Sequence, residues 1–304
     1  MIKRVLVAAI ALSASFTTAR ADNRAWTAAK KALPANLQVV MGFSATPLRS
    51  SELFKQLLPK ALQNSGPAKA HLDKVKTACN LDLIEQLDSA VVGVTAAQED
   101  VFVVALKSTT RKELDACIVK VNKLDKKTVT ITEDGQVTKY VGLSDKDIYL
   151  RWLAKDSFAV VAATDSKDLL LKLTDGGIAD DKAFKAPLAA VKTTSAVWVL
   201  MNKTQDLDQV GAKMHAAYGQ ADIKGGVVLV DLHIVVEDAK SATDAAGRAT
   251  GQVDLLKSSG KVPPEYQSLL SGLKFTAAGS ELRVNASASE KEILGMLGAF
   301  MGST

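Results

Sequence analysis

Ala90-Val91-Val92-Gly93-Val94-Thr95, the bend Gln98-Glu99-Asp100 and the run Val101-Phe102-Val103-Val104-Ala105-Leu106 form the stretch whose reading decides the fold. Two Val-rich apolar runs of strand length, separated by polar residues, read as an antiparallel pair. A helix follows at once. Thr110-Arg111-Lys112-Glu113 is a capping box, its hydroxyl accepting from the third helical amide while the carboxylate reaches back. Leu114, Cys117, Ile118, Val121 and Leu124 then recur at helical spacing. A comparable strand-and-helix arrangement returns near residues 224–256, so the chain reads as one structural idea used twice.

Upstream, Leu37–Phe43 reads as a strand, and Leu48, Leu53, Phe54, Leu57 and Leu58 mark a helix stopped by Pro59. Ser65-Gly66-Pro67 opens a further helix that ends near Cys79. Downstream, 128–141 is a hairpin around Asp134-Gly135. Ile148–Leu153 and Phe158–Ala163 form another strand pair, followed by a helix capped by Thr164 or Asp165. Ile178–Phe184 reads as a boundary. Beyond it Ala196–Met201 is a strand, Leu207–Tyr218 a helix weakened by Gly211, and Val227–Val230 with Leu232–Val236 strand-like. An Ala-rich helix opens at Ser241 and runs to Leu256. A strand pair, Leu273–Thr276 and Glu281–Ala286, precedes a capping box at Ser287-Ala288-Ser289-Glu290 and a last helix.

Leu150, Trp152, Ala154, Ser157, Val161 and Ala163 fall on Leu273, Phe275, Ala277, Ser280, Val284 and Ala286 at a constant spacing of 123 residues. Shared register implies internal duplication. The expected fold class is α+β: two related modules, each an antiparallel sheet with helices on one face. The first covers 22–180, with the 128–141 hairpin as an extra, and the second 181–304.

Residues 1–21 belong to neither module. A basic start, Met1-Ile2-Lys3-Arg4, precedes the 12-residue apolar run Val5–Phe16 and a small-x-small site, Ala19-Arg20-Ala21. That run is shorter than the roughly 20 residues a membrane span needs, so it reads as a secretory signal cleaved after Ala21. Its removal takes three basic residues, leaving 35 basic against 33 acidic side chains, a net +2. An exported, periplasmic or secreted, chain follows. With no basic patch interleaved with aromatics, nucleic acid is not expected as a partner.

Of 304 residues, 47% are hydrophobic, 23% charged and 5% aromatic, enough for two cores built of Ala, Val and Leu. Cys79 and Cys117 are the only cysteines, each on an expected helix; an exported chain favours their disulfide, with two separate buried thiols as the alternative.

No reactive constellation stands out. His71, His215 and His233 have no partners at metal-binding spacing, and two cysteines without a nearby histidine make no zinc site, so neither metal nor cofactor is expected. Gly42-Phe43-Ser44-Ala45-Thr46 lacks the second glycine of a nucleophile elbow, and Ser258-Ser259-Gly260-Lys261 lies in a loop where the Ser–Lys pair would not be aligned. Gly225-Gly226 precedes a strand, so it is no phosphate loop. Asp145-Lys146-Asp147 and Asp175-Gly176-Gly177 lack calcium-loop alternation. The carboxylates Asp88, Asp100 and Asp231 sit at strand ends, as solvated charges often do. Trp152 and Trp198 read as core.

Leu33-Pro34, the strand ending in Phe43, and Leu48-Arg49-Ser50-Ser51-Glu52-Leu53-Phe54 resemble the start of uncharacterised exported bacterial proteins of the DUF3352-like type. That resemblance implies an envelope location and repeated α+β modules, and no known activity. The expected function is a non-catalytic binding or structural protein of the envelope, its partner a protein or an apolar ligand. Two alternatives stay open: a hydrolase with a dispersed site, and an assembly factor using its apolar C-terminal helix.

Overall fold

A computed structural model describes residues 22–301 apart from 65, 98, 144–146, 162–165, 174–176 and 261. The leader at 1–21, the Thr164/Asp165 cap, and parts of the loops at 145–147, 174–177 and 258–261 lie outside the described residues. The Val-rich hairpin forms: β2 (Leu87–Thr95) pairs antiparallel with β3 (Asp100–Leu106). The strand before it, β1 (Leu37–Ser44), joins the other side of β2. After the capped helix come β4 (Thr130–Asp134), β5 (Val137–Val141), β6 (Ile148–Ala154) and β7 (Ser157–Val161). The second half supplies β8 (Val197–Met201), β9 (Gln205–Leu207), β10 (Ala212–Lys224), β11 (Val227–Val236), β12 (Lys274–Ala278) and β13 (Glu281–Ser289). Three short helices, α2 (Ala45–Ser50), α5 (Leu83–Gln86) and α10 (Pro264–Gly272), lie next to β1, β2 and β12 in the chain.

All of these belong to one antiparallel sheet, ordered β12-β13-β11-β10-β8-β1-β2-β3-β7-β6-β5-β4, with β9 beside β10. The architecture is α+β, and the sheet is continuous. Pairing runs β1-β2-β3-β7-β6 in the first half and β8-β10-β11-β13-β12 in the second, and the leading strands β1 and β8 pair with each other between them. The two-residue turns at 155–156 and 279–280 lie 124 residues apart, so the ungapped 123-residue echo is one residue out at the hairpin tips.

Strand residues alternate between the sheet's two faces, and residues opposite one another across strands share a face. Trp198, Gly42, Val91, Val103, Ala159 and Arg151 form one such row, on what we call the first face; every member is buried. Helix α1 (Arg24–Ala32) covers it with Ala25, Trp26 and Ala29. Its start is fixed by Asn23, whose side chain accepts from the Trp26 amide at 2.7 Å and donates to the Thr193 carbonyl at 2.8 Å, tying the two halves together. Trp26 meets Trp198 edge-on with centroids 5.2 Å apart. Gly42 is required there, since a Cβ would come within 2.3 Å of the indole.

The short helices α7 (Ser166–Lys172) and α8 (Lys182–Ala190) complete this cover. Ile178 and Phe184, expected at a module boundary, are fully buried in the same core. Alternating charge and glycine around them had concealed two large apolar anchors.

Helix α9 (Ala239–Ser258) packs on the opposite face, over β11, β12 and β13, burying Ala242, Ala245, Ala246 and Ala249 against Val236 and Leu282. Its cap is Asp238, which accepts from the Ser241 amide at 2.7 Å. Three local expectations are corrected. Leu207–Tyr218 is not a helix: a turn at Gly211, whose φ is +61°, separates β9 from β10, and Ala212 and Met214 alternate with exposed Lys213 and His215 as a strand requires. The helix marked by Leu53 does not stop at Pro59, because α3 (Glu52–Asn64) lies on the surface and tolerates the missing amide. The last capping box is Ser289 with Glu292, not Ser287 with Glu290, since β13 runs on through Ser289 before α11 (Glu290–Met301) begins.

Candidate functional site

The other face of the sheet carries a row that crosses twelve strands: Phe275, Val284, Leu232, Gly219, Val199, Met41, Val92, Phe102, Val160, Leu150, Thr138 and Glu133. Its middle is apolar without interruption. From β8 to β6 it spans about 24 Å, at roughly 4.8 Å per strand. Val197, Phe43, Ala90, Val104, Phe158 and Trp152 run beside it, through the same strands. On the first face such residues are sealed. Here Val199, Val92, Phe102 and Val160 are only half-buried, and Met41 is 44% exposed.

The borders of this open floor are helical. At the β4–β5 edge lies α6 (Arg111–Leu124), tied to the sheet by Arg111 against Glu133 and by the Tyr140 hydroxyl donating to Asp115 at 2.5 Å. Burial, and then the Asp115 carboxylate, push the Tyr140 phenol well above its ordinary pKa. At the other edge α9 covers β11 to β13, leaving a cleft of ≈ 430 Å³ lined by Val210, Ile234, Phe275 and Val284.

Two further helices link the borders. Helix α3 is held at its start by Glu290 of α11, which accepts from the Leu53 amide at 2.8 Å. The next helix, α4 (Gly66–Cys79), ends in a disulfide to Cys117 of α6, with Cα atoms 5.5 Å apart. The expected pairing of the two cysteines is therefore formed. Although α3 carries Leu53, Phe54, Leu57, Leu58 and Leu62 on one stripe, none of its residues is buried. An amphipathic helix fastened at its ends with an unburied stripe is the mark of an incompletely filled interior.

Trp152, expected in the core, lies on this floor against Phe158, with centroids 5.2 Å apart. Its indole N–H is buried and closes no hydrogen bond, with the Tyr140 hydroxyl as its polar neighbour. Trp198 does lie in the core.

The remaining candidates do not converge. Asp88 and Asp100 occupy opposite ends of the β2–β3 pair, and Asp231 lies mid-strand in β11, several strands away. His71 and His215 are exposed. Ser44 is buried and within 3.4 Å of Asn23, and no basic group among the described residues hydrogen-bonds it. Among the described residues no cluster of His, Cys, Asp and Glu has the arrangement of a metal site.

One polar assembly was missed by reading residues singly. On the first face of the second half, His233 lies 3.2 Å from both Glu281 and Asp231 and stacks on Tyr218 at 4.8 Å. Tyr218 and Arg283 donate to Glu281, and Asn285 donates to Asp231 at 3.0 Å. Burial alone would raise the Glu281 pKa, but the donors Tyr218, His233 and Arg283 outweigh it and hold the carboxyl below its usual range. Burial and then Glu281 push the Tyr218 phenol up to about 12. The alternation Asp231-x-His233 against Glu281-x-Arg283-x-Asn285 was the available signal, usable only once β11 and β13 are known to pair. These groups satisfy one another on a solvated face, as expected of a sheet with one wet side.

No helix among the described residues is long and apolar enough to cross a membrane. No family model matches the chain, and no curated protein matches it. Among solved structures, crystal form I of TP0453 is similar over 89% of this chain and 96% of that one, with a TM-score of 0.51 at 11% identity. At that identity the likeness concerns the fold.

Proposed function

We propose that this chain is an exported, non-catalytic binding protein of the bacterial envelope, periplasmic or secreted, that holds a lipid acyl chain against the open face of its sheet. One observation carries the reading: an apolar floor about 24 Å long, half-buried or exposed at Val199, Met41, Val92, Phe102 and Val160, although Trp198, Val91, Val103 and Ala159 on its reverse side are buried. The hydrocarbon core of a bilayer is roughly 30 Å thick, so one leaflet's chain, about half of that, fits along the floor. The Cys79–Cys117 bond agrees with an oxidising compartment. The common pairing order of the halves supports two related modules, 22–180 and 181–304, joined edge to edge.

The test is titration of delipidated protein with a fluorescent long-chain fatty acid, for the native sequence and for Val92→Asp and Phe102→Asp. Saturable binding that falls at least tenfold in both variants, with circular dichroism unchanged, is expected. Non-saturable uptake, or equal affinity in all three proteins, would refute it.

A further inference from the structure

A different surface carries a second binding role. The helical layer formed by residues 52–79 and 111–127 holds 11 basic and 5 acidic side chains, a net +6, although residues 22–304 together sum to only +2. The rest of the chain is therefore net −4, and the molecule is strongly polarised. Part of the layer's charge is neutralised locally, as in Lys69–Asp73 and Lys74–Asp125. Lys60, Lys112, Lys120, Lys123, Lys126 and Lys127 are exposed, and none has a carboxylate within ion-pair distance among the described residues.

Five of those six lie on α6 or just beyond it. Helical spacing puts Lys112, Val119 and Lys123 on the side of α6 opposite the buried Val121, with Lys120 and the exposed Leu124 on the flank between them and the buried Cys117. Val119 is 43% exposed and Leu124 65% exposed, within a ring of lysines. Large apolar side chains at solvent, framed by unpaired ammonium groups, suit a surface with fixed negative charge outside and hydrocarbon beneath. A nucleic acid would use the lysines but offers nothing to Val119 and Leu124, and the stripe has no aromatic ring for a base to stack on.

We propose that the outward face of α6, with Lys126 and Lys127 just beyond it, docks this protein on a bilayer containing anionic phospholipid. The charges bring the layer to the headgroups, and Val119 and Leu124 enter the interface. This role does not depend on the sheet's floor being occupied.

The experiment is co-flotation of delipidated protein, residues 22–304, with vesicles of zwitterionic lipid alone or with about 30% anionic phospholipid, in low and high salt. Each lysine near such a surface is worth roughly fivefold in affinity. Binding should require the anionic lipid and weaken sharply between about 0.05 and 0.5 M salt. The triple change Lys112→Glu, Lys120→Glu, Lys123→Glu should reduce it at least about 100-fold, and Val119→Ser with Leu124→Ser by a smaller factor. If the charge-reversed protein does not fold, the corresponding Lys→Gln triple gives the same reading with a lower expected loss. Equal flotation with zwitterionic vesicles, no flotation at all, insensitivity to the lysine changes, or capture by DNA but not by vesicles would each overturn the proposal. Val92→Asp should still float, so failure of docking and failure of the acyl-chain reading are told apart.

Discussion

Over β1, β2, β3, β7 and β8 the sheet's two faces are made of the same residue types, yet they end in opposite states. Val91, Val103, Ala159, Leu200 and Trp198 on one side are shut away beneath α1, α7 and α8. Val92, Phe102, Val160 and Val199 on the other remain half-open, bordered by helices whose own apolar stripes are not fully used. In the second half the arrangement inverts, with α9 sealing the face that is open in the first and the reverse side given to Tyr218, His233 and Glu281. Apolar composition makes a face insoluble; only a fitted neighbour makes it a core.

The sharpest attack on this contrast is a large deletion on the sealed side. Trp198→Ala removes a fully buried indole packed on Trp26 and should cost about 3–5 kcal/mol, read as a lower urea midpoint. Next in size is the tether of the open side. Replacing Cys79 and Cys117 by Ala frees a 38-residue separation and should cost roughly 3–4 kcal/mol in the chain-entropy model, measured by denaturation with intact mass confirming the bond in the parent. A smaller loss, about 1 kcal/mol, is expected for Asn23→Ala, which removes the cap of α1 and its hold on Thr193. Phe102→Ala on the open face should cost less than about 2 kcal/mol, because the ring is already partly hydrated. If Phe102→Ala instead costs as much as Trp198→Ala, the two faces are equally packed and the contrast fails.

The smallest effect concerns the wet face. Glu281 has a depressed pKa in the folded state, so its contribution is present above the unfolded value near 4.5 and is lost as pH falls through the lower, folded value. Glu281→Gln should flatten the acid limb of the stability profile below about pH 4.5 and leave the profile near pH 7 with its former slope. A parallel displacement of the whole curve would mean that the carboxylate is not stabilised by its neighbours.

Much of the fold was legible because it rests on local rules. The two Val runs at 90–106, the Thr110–Glu113 cap and the Asp134-Gly135 turn each specify an element within a few residues. Errors arose where short-range signals conflict. Leu207–Tyr218 has helix-forming residues, and only its pairing with β8 and β11 selects the extended form. Ile178 and Phe184 looked like linker because the core they enter is built from elements far away along the chain, α1 and β8 among them. The candidate site was less legible still, since each of its side chains reads as ordinary core.

Alternation and capping along the chain determined by themselves that strand pairs are followed by capped helices, that both sides of β2 and β3 are apolar, and that Cys79 and Cys117 sit on helices. Which apolar side is covered was decided only by tertiary structure, because cover is supplied by elements far away in sequence: α1, α7 and α8 converge on one side, while α3, α4 and α6 meet at the edges of the other. Local patterns fix where a side chain points. What it meets depends on where the rest of the chain can reach, and that is set by packing.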